Sequence, residues 1–227
     1  MRFWQAEPQA ALTADTKVLV NVWLPKLNGE VCTAQEFIIA HSAGKVNQST
    51  SRIGHVSMET HSLYASWWPN PQDGEQVEKF NVVHAQNSTY AEDVYNEGSE
   101  PDLRICFYSL NVAEIEDCFN NIENNPNIGY VLSGDKKVAR LLNDERGQSC
   151  CGLAYELLMA GGISVHSSIH KDLKLKWVIV TPDNFANFVK NAKESEWEKH
   201  PETREFPMLD GEYMPEAAPR NNFCSIL

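Results

Sequence analysis

Apolar and polar residues alternate from Lys17 to Pro25 (KVLVNVWLP), the period of a half-buried strand. A second strand is expected over Val31 to His41, and a polar loop over residues 43–52. Gly54 to Thr60 (GHVSMET) and Leu63 to Trp68 (LYASWW) read as two short strands joined at His61-Ser62, a hairpin closed by Pro69. Residues 69–79 and 86–102 are rich in Pro, Asn, Gly, Ser and acids, and read as surface excursions around a short strand at Phe80 to His84. Leu103 to Leu110 (LRICFYSL) is a further strand.

Helical spacing then takes over. Asn111 can cap a helix to about Asn124, with Val112, Ile115, Cys118, Phe119 and Ile122 on one face. Gln148 to Ala160 reads as a buried helix, with Ser149 at the N-cap and Gly161-Gly162 at its end. Leu173 to Val180 (LKLKWVIV) alternates as a strand. Thr181-Pro182-Asp183 opens a last helix whose apolar face is Phe185, Phe188, Val189 and Ala192. The pattern predicts an α+β fold, with an antiparallel sheet packed on helices. Residues 1–16 form a lead-in, 17–199 the folded domain, and 200–227 a proline-punctuated flexible tail.

Composition narrows the partners. The chain has 227 residues and a net charge of −12, which disfavours nucleic acid and anionic lipid alike. No apolar run is long enough to span a bilayer, and the first residues lack the apolar stretch of a signal peptide. The six cysteines show no metal-ligand or disulfide framework, so neither a metal nor another cofactor is expected, and free thiols fit a reducing compartment. His166 and His170, spaced by four, sit in a segment with no acid ligand beside them.

The last four residues, Cys224-Ser225-Ile226-Leu227, make a prenylation box, and a terminal Leu favours the geranylgeranyl lipid. Such a tail implies a prenyltransferase as partner and a lipid on Cys224, with attachment to the cytosolic face of a membrane. Glu194, Glu196, Glu198, Glu202, Glu205, Glu212 and Glu216 form an acidic run expected to be a solvated face.

Cys150 and Cys151 both fall in the first turn of their helix, where the dipole and free N–H groups favour a thiolate. His55 opens a strand directly after Gly54. A strand-borne histidine facing a helix-borne cysteine is the base and nucleophile arrangement of acyl-transfer sites. The same residues also fit a buried strand histidine and two small hydrophobes.

GHVSMET, YASWWP and SCCGLAYELLMAGG together resemble the circularly permuted NlpC/P60 group of the papain-like superfamily, to which lecithin:retinol acyltransferase relatives also belong. Within that group the wording is similar to uncharacterised secreted effectors of intracellular bacterial pathogens, and the acidic C-terminal run is similar to type IV translocation signals. The resemblance covers about residues 17–195. It implies Cys150 as nucleophile, because Cys150 leads the Cys-x-x-Leu pattern with Leu153, and His55 as base. It places the third polar residue on the following strand, near Ser66, with His61 and His84 as substitutes and Cys151 as the alternative nucleophile. Backbone N–H groups of Cys150 and Cys151 would hold the oxyanion. Two departures from the group stand out: Ser149 precedes the nucleophile where Asn or Asp is usual, and Leu63 to Trp68 holds no His, Asn or Gln. The implied substrate is a host protein or a lipid acyl group.

Overall fold

The structure is a computed structural model that describes residues 17–75, 82–131, 146–163 and 181–205. Strand β1 (Val18–Trp23) lies inside a five-stranded sheet. Around it run β4 (His55–Glu59), β5 (Tyr64–Pro69), β6 (Ala85–Asn87) and β7 (Leu103–Phe107), in the order β6-β5-β4-β1-β7. Every neighbouring pair is antiparallel. Two small ladders complete the strands: the hairpin β2 (Lys26–Leu27) with β3 (Glu30–Val31), and the parallel pair β8 (Ile128–Tyr130) with β9 (Arg146–Gln148). The helices are α1 (Ala34–Ser42), α2 (Tyr90–Glu97), α3 (Val112–Glu123), α4 (Cys150–Ala160) and α5 (Pro182–Lys199), followed by a 3₁₀ turn at Pro201–Glu205. The fold is therefore α+β with an antiparallel sheet.

The two faces of the sheet differ in chemistry. Val18, Val20, Val22, Val56, Met58, Ala65, Trp67, Leu103, Ile105 and Phe107 form one apolar core with residues of α3, α4 and α5. Leu153, Ala154, Leu157 and Leu158 of α4 are all buried in it, and each leucine contributes about 2 kcal/mol of burial. The other face carries Asn21, Ser57, Tyr64, Ser66 and Arg104, joined by side-chain hydrogen bonds. Both faces of β1 are covered, so all six of its residues are buried, Asn21 included. Its amide is satisfied by donating to Ser57 Oγ and accepting from Arg104 Nε.

Four sequence expectations are corrected. Val31 to His41 is not a strand: Thr33 and Glu36 form a capping box, and the chain turns helical from Ala34. The stretch 86–102 is not a surface excursion throughout, because β6 and α2 occupy Ala85–Asn87 and Tyr90–Glu97. Thr89 and Glu92 build a second capping box there. The acidic run is not uniformly solvated: Glu196 is buried and accepts from the Tyr108 and Ser109 amides, the Ser109 hydroxyl and Lys193. The tail does not begin at residue 200, since the 3₁₀ turn follows α5 and buries Thr203.

Elsewhere expectation and structure coincide. The hairpin, the strand from Leu103 and the helices opening at Val112, Cys150 and Pro182 all form. Ser149 caps α4 by accepting from the Gly152 amide. Thr181 occupies the N-cap of α5 but its side chain makes no capping bond to the backbone, accepting instead from Asn184 Nδ2. In the predicted strand at Phe80 to His84, Val83 makes an isolated bridge to Tyr130. Phe80 and Asn81, the strand at Leu173 to Val180, His166, His170 and Cys224 lie outside the described residues.

Candidate functional site

The β4–β5 ladder ends at Ser57↔Ser66, although β4 continues back to His55 and β5 onward to Pro69. That fork is where α4 meets the sheet, with its first residue against the hydrogen-bonding edge of β4. The backbone of Val56 is hydrogen-bonded to the Cys150 sulfur. Gly54 lets β4 begin tight against the end of β1. Its φ of 85° suits glycine, and a Cβ there would lie 2.4 Å from the Trp23 carbonyl oxygen.

His55 is buried between two indoles. Trp68 stacks on it at 4.3 Å between centroids, and Trp23 lies at 5.7 Å. Nε2 of His55 is 2.8 Å from Ser66 Oγ, and the Ser66 hydroxyl donates to Asp93 Oδ1 at 2.9 Å. Nε2 therefore carries a proton that Ser66 accepts. Asp93 Oδ2 also lies 3.4 Å from Nε2. The Cys150 sulfur acts on the same ring, its charge and its hydrogen bond to the imidazole both favouring the protonated form.

The acid in this arrangement is Asp93, on α2. It is fully buried and accepts from Ser66, from Trp68 Nε1 at 2.7 Å and from the Tyr64 hydroxyl at 2.7 Å. Burial alone would protonate it. The hydrogen bond and charge of His55, with the Tyr64 and Ser66 donors, instead hold its carboxyl below the usual range.

The charges reinforce each other. The Cys151 thiol lies 4.0 Å from the Cys150 sulfur and helps lower the Cys150 pKa. Burial opposes this, and the charge and hydrogen bond of His55 carry the Cys150 pKa well below the ordinary thiol value. For His55, burial favours the neutral ring. The Cys150 thiolate and Asp93 overcome it and raise the imidazole to about 9. Burial pushes the Cys151 thiol upward, so of the adjacent pair it is Cys150 that ionises. The first N–H groups of α4 have no acceptor within the helix, apart from the Gly152 amide that Ser149 caps.

The structure thus brings together Cys150, His55 and Ser66, with Cys151 beside them. It does not bring His61 or His84 to the imidazole: His61 is exposed, and His84 pairs with Glu75 at 2.7 Å on the surface. Sequence reasoning missed Asp93 and Tyr64; the alternation of Trp67 and Trp68 to opposite faces does put one tryptophan, Trp68, on the imidazole. Asp93 had one local signal, the Thr89-x-x-Glu92 capping box that starts a helix just before it. Glu97, four residues on, was missed as well. It is buried, its Oε2 makes no hydrogen bond and lies 3.9 Å from Arg52, and burial raises it to about 7. Among the described residues no three His, Cys, Asp or Glu side chains cluster as metal ligands.

Fold and site together define an α+β protein with a buried cysteine, histidine and aspartate in contact across a forked hairpin. Comparison with family models, with curated proteins and with solved structures finds no match for this chain.

Proposed function

We propose that the chain is a thiol-dependent hydrolase or acyltransferase of papain-like, permuted NlpC/P60 type. The observation that carries this reading is the Cys150–His55–Asp93 contact, in which burial is overruled so that sulfur and imidazole both become charged. In that ion pair Cys150 Sγ attacks a peptide, amide or ester carbonyl. The carbonyl oxygen takes the negative charge and is held by backbone N–H groups at the start of α4. His55 then gives its proton to the leaving nitrogen or oxygen as the carbon–heteroatom bond breaks. Water, or an acceptor hydroxyl or amine, releases the acyl group, with His55 taking the proton back. Ser66 and Asp93 position the ring.

The setting belongs to the same proposal. The chain is an effector delivered into a host cell, prenylated on Cys224 by a host prenyltransferase of geranylgeranyl type. It acts at the cytosolic face of a host membrane on a host protein or lipid. The C-terminal box and the acidic run support this. No described helix is long and apolar enough to cross a membrane.

A thiol-reactive acyl probe tests the chemistry. Wild-type protein is expected to label at Cys150 within minutes at neutral pH, and His55→Ala to label at least tenfold more slowly. Equal, slow labelling of the two proteins sinks the enzyme reading and leaves a membrane-tethered binding module. For the anchor, Cys224→Ser is expected to move a tagged protein from host membranes to the soluble fraction.

A further inference from the structure

The hydrogen-bonded face of the sheet opens, away from Cys150, into a cleft of about 470 Å³ lined by Glu59, Leu63, Tyr64, Tyr90 and Arg104 among others. We infer that this cleft is a binding site for a short zwitterionic peptide, its carboxylate held by Arg104 and its ammonium by Glu59.

The charges are the first reason. Arg104 is half-buried on β7, with its Nε tied to Asn21 Oδ1 at 3.1 Å and its guanidinium over the Tyr90 ring at 5.7 Å. That fixes the plane of the fork and leaves the terminal nitrogens available, since no carboxylate pairs with them among the described residues. Glu59 also has no ion-pair partner among the described residues. The register sets the two apart: Arg104 opposes Asn21 and Glu59 opposes Leu19, on either side of β1 and two residues apart along it. Their backbones stand about 12 Å apart over the sheet. One cation and one anion, each without an ion-pair partner among the described residues and both lining one cavity, match the two ends of a single zwitterion.

The walls are the second reason. Nearby polar groups are already committed: the Thr60 and Ser62 hydroxyls donate to Glu116, and the Tyr90 hydroxyl donates to Glu100. Besides the exposed His61, what remains between the charges is the body of Leu63, Tyr64 and Tyr90, an apolar and aromatic surface suited to a side chain. A volume of this size holds a ligand of about two or three residues. The site stands whatever reaction Cys150 performs, because none of its lining residues touches the sulfur.

Titration of the full chain with leucylglycine, followed by calorimetry, tests it. Saturable binding with a Kd below about 10 mM is expected. The amide leucylglycinamide lacks the carboxylate, and N-acetyl-leucylglycine lacks the ammonium. Each is expected to bind wild type at least about tenfold more weakly. Arg104→Gln should lose the discrimination against the amide alone, and Glu59→Gln the discrimination against the acetyl form alone. The two variants fail in different strands, so misfolding of one leaves the other as the test. Absence of saturation by wild type up to about 50 mM overturns the assignment. So does unchanged discrimination in a folded variant.

Discussion

At the residue scale, the site turns on which groups carry charge at neutral pH. Cys150 is depressed and His55 raised to about 9, so a thiolate and an imidazolium coexist between those two values. Alkylation of wild-type Cys150 by iodoacetamide is therefore expected to reach its plateau below pH 8. In His55→Ala the rise should move up toward the ordinary thiol value, about 9. On the proposed mechanism, acyl transfer should fall above about pH 9, where His55 loses the proton it would deliver. Asp93→Asn keeps the size of the side chain but removes the charge that holds the ring. It should lower turnover by about 100-fold while leaving the alkylation maximum within a few-fold of wild type. Glu97 gives a separate pH signature. Its folded pKa of about 7 exceeds the ordinary 4.5, so the folded state binds the extra proton between those values. The stability this group contributes is complete below about pH 4.5 and is lost as pH rises through about 7. Glu97→Gln should consequently gain melting temperature relative to wild type at pH 8 and gain less, or nothing, at pH 5.

At the element scale, three local devices hold the candidate site and its surroundings in place. Gly54 lets β4 start against β1. Gly54→Ala forces a Cβ into backbone at positive φ and should cost roughly 2–4 kcal/mol in chemical denaturation. Ser149 caps α4, and Ser149→Ala should cost about 1 kcal/mol. Glu196 pins α5 to the turn after β7 through three donors from Tyr108 and Ser109. Elements were legible wherever local signals agreed. The hairpin alternation, the Asn111 and Ser149 caps and the Pro182 start each fix their element without help from afar. Elements were misread where local signals conflicted. Val31 to His41 holds apolar Phe37, Ile38 and Ile39, which suit a strand, and only the Thr33–Glu36 box outweighs them. In residues 86–102, turn-forming residues masked an eight-residue helix whose apolar face is short.

At the scale of the whole molecule, a relay of hydrogen bonds crosses the sheet. Arg104 donates to Asn21, Asn21 to Ser57, Ser57 to Tyr64, and Tyr64 to Asp93. Ser66 then joins Asp93 to His55. The relay runs through β7, β1, β4 and β5, so the sheet's register, rather than any one strand, aligns it. The sequence by itself determined the α+β class, the order of most strands and helices, and the pairing of a cysteine at a helix start with a histidine at a strand start as the candidate site. Those depend on period, caps and residue type, which are local. The tertiary structure alone decided the acid. Asp93 is 38 positions from His55 in the chain, and it meets the imidazole only because α2 folds back over the polar face of the hairpin. It also decided that the hairpin forks beside α4. The ladder stops at Ser57↔Ser66 while both strands run on, and no periodicity in either strand records that break, because it depends on what packs there from elsewhere in the chain.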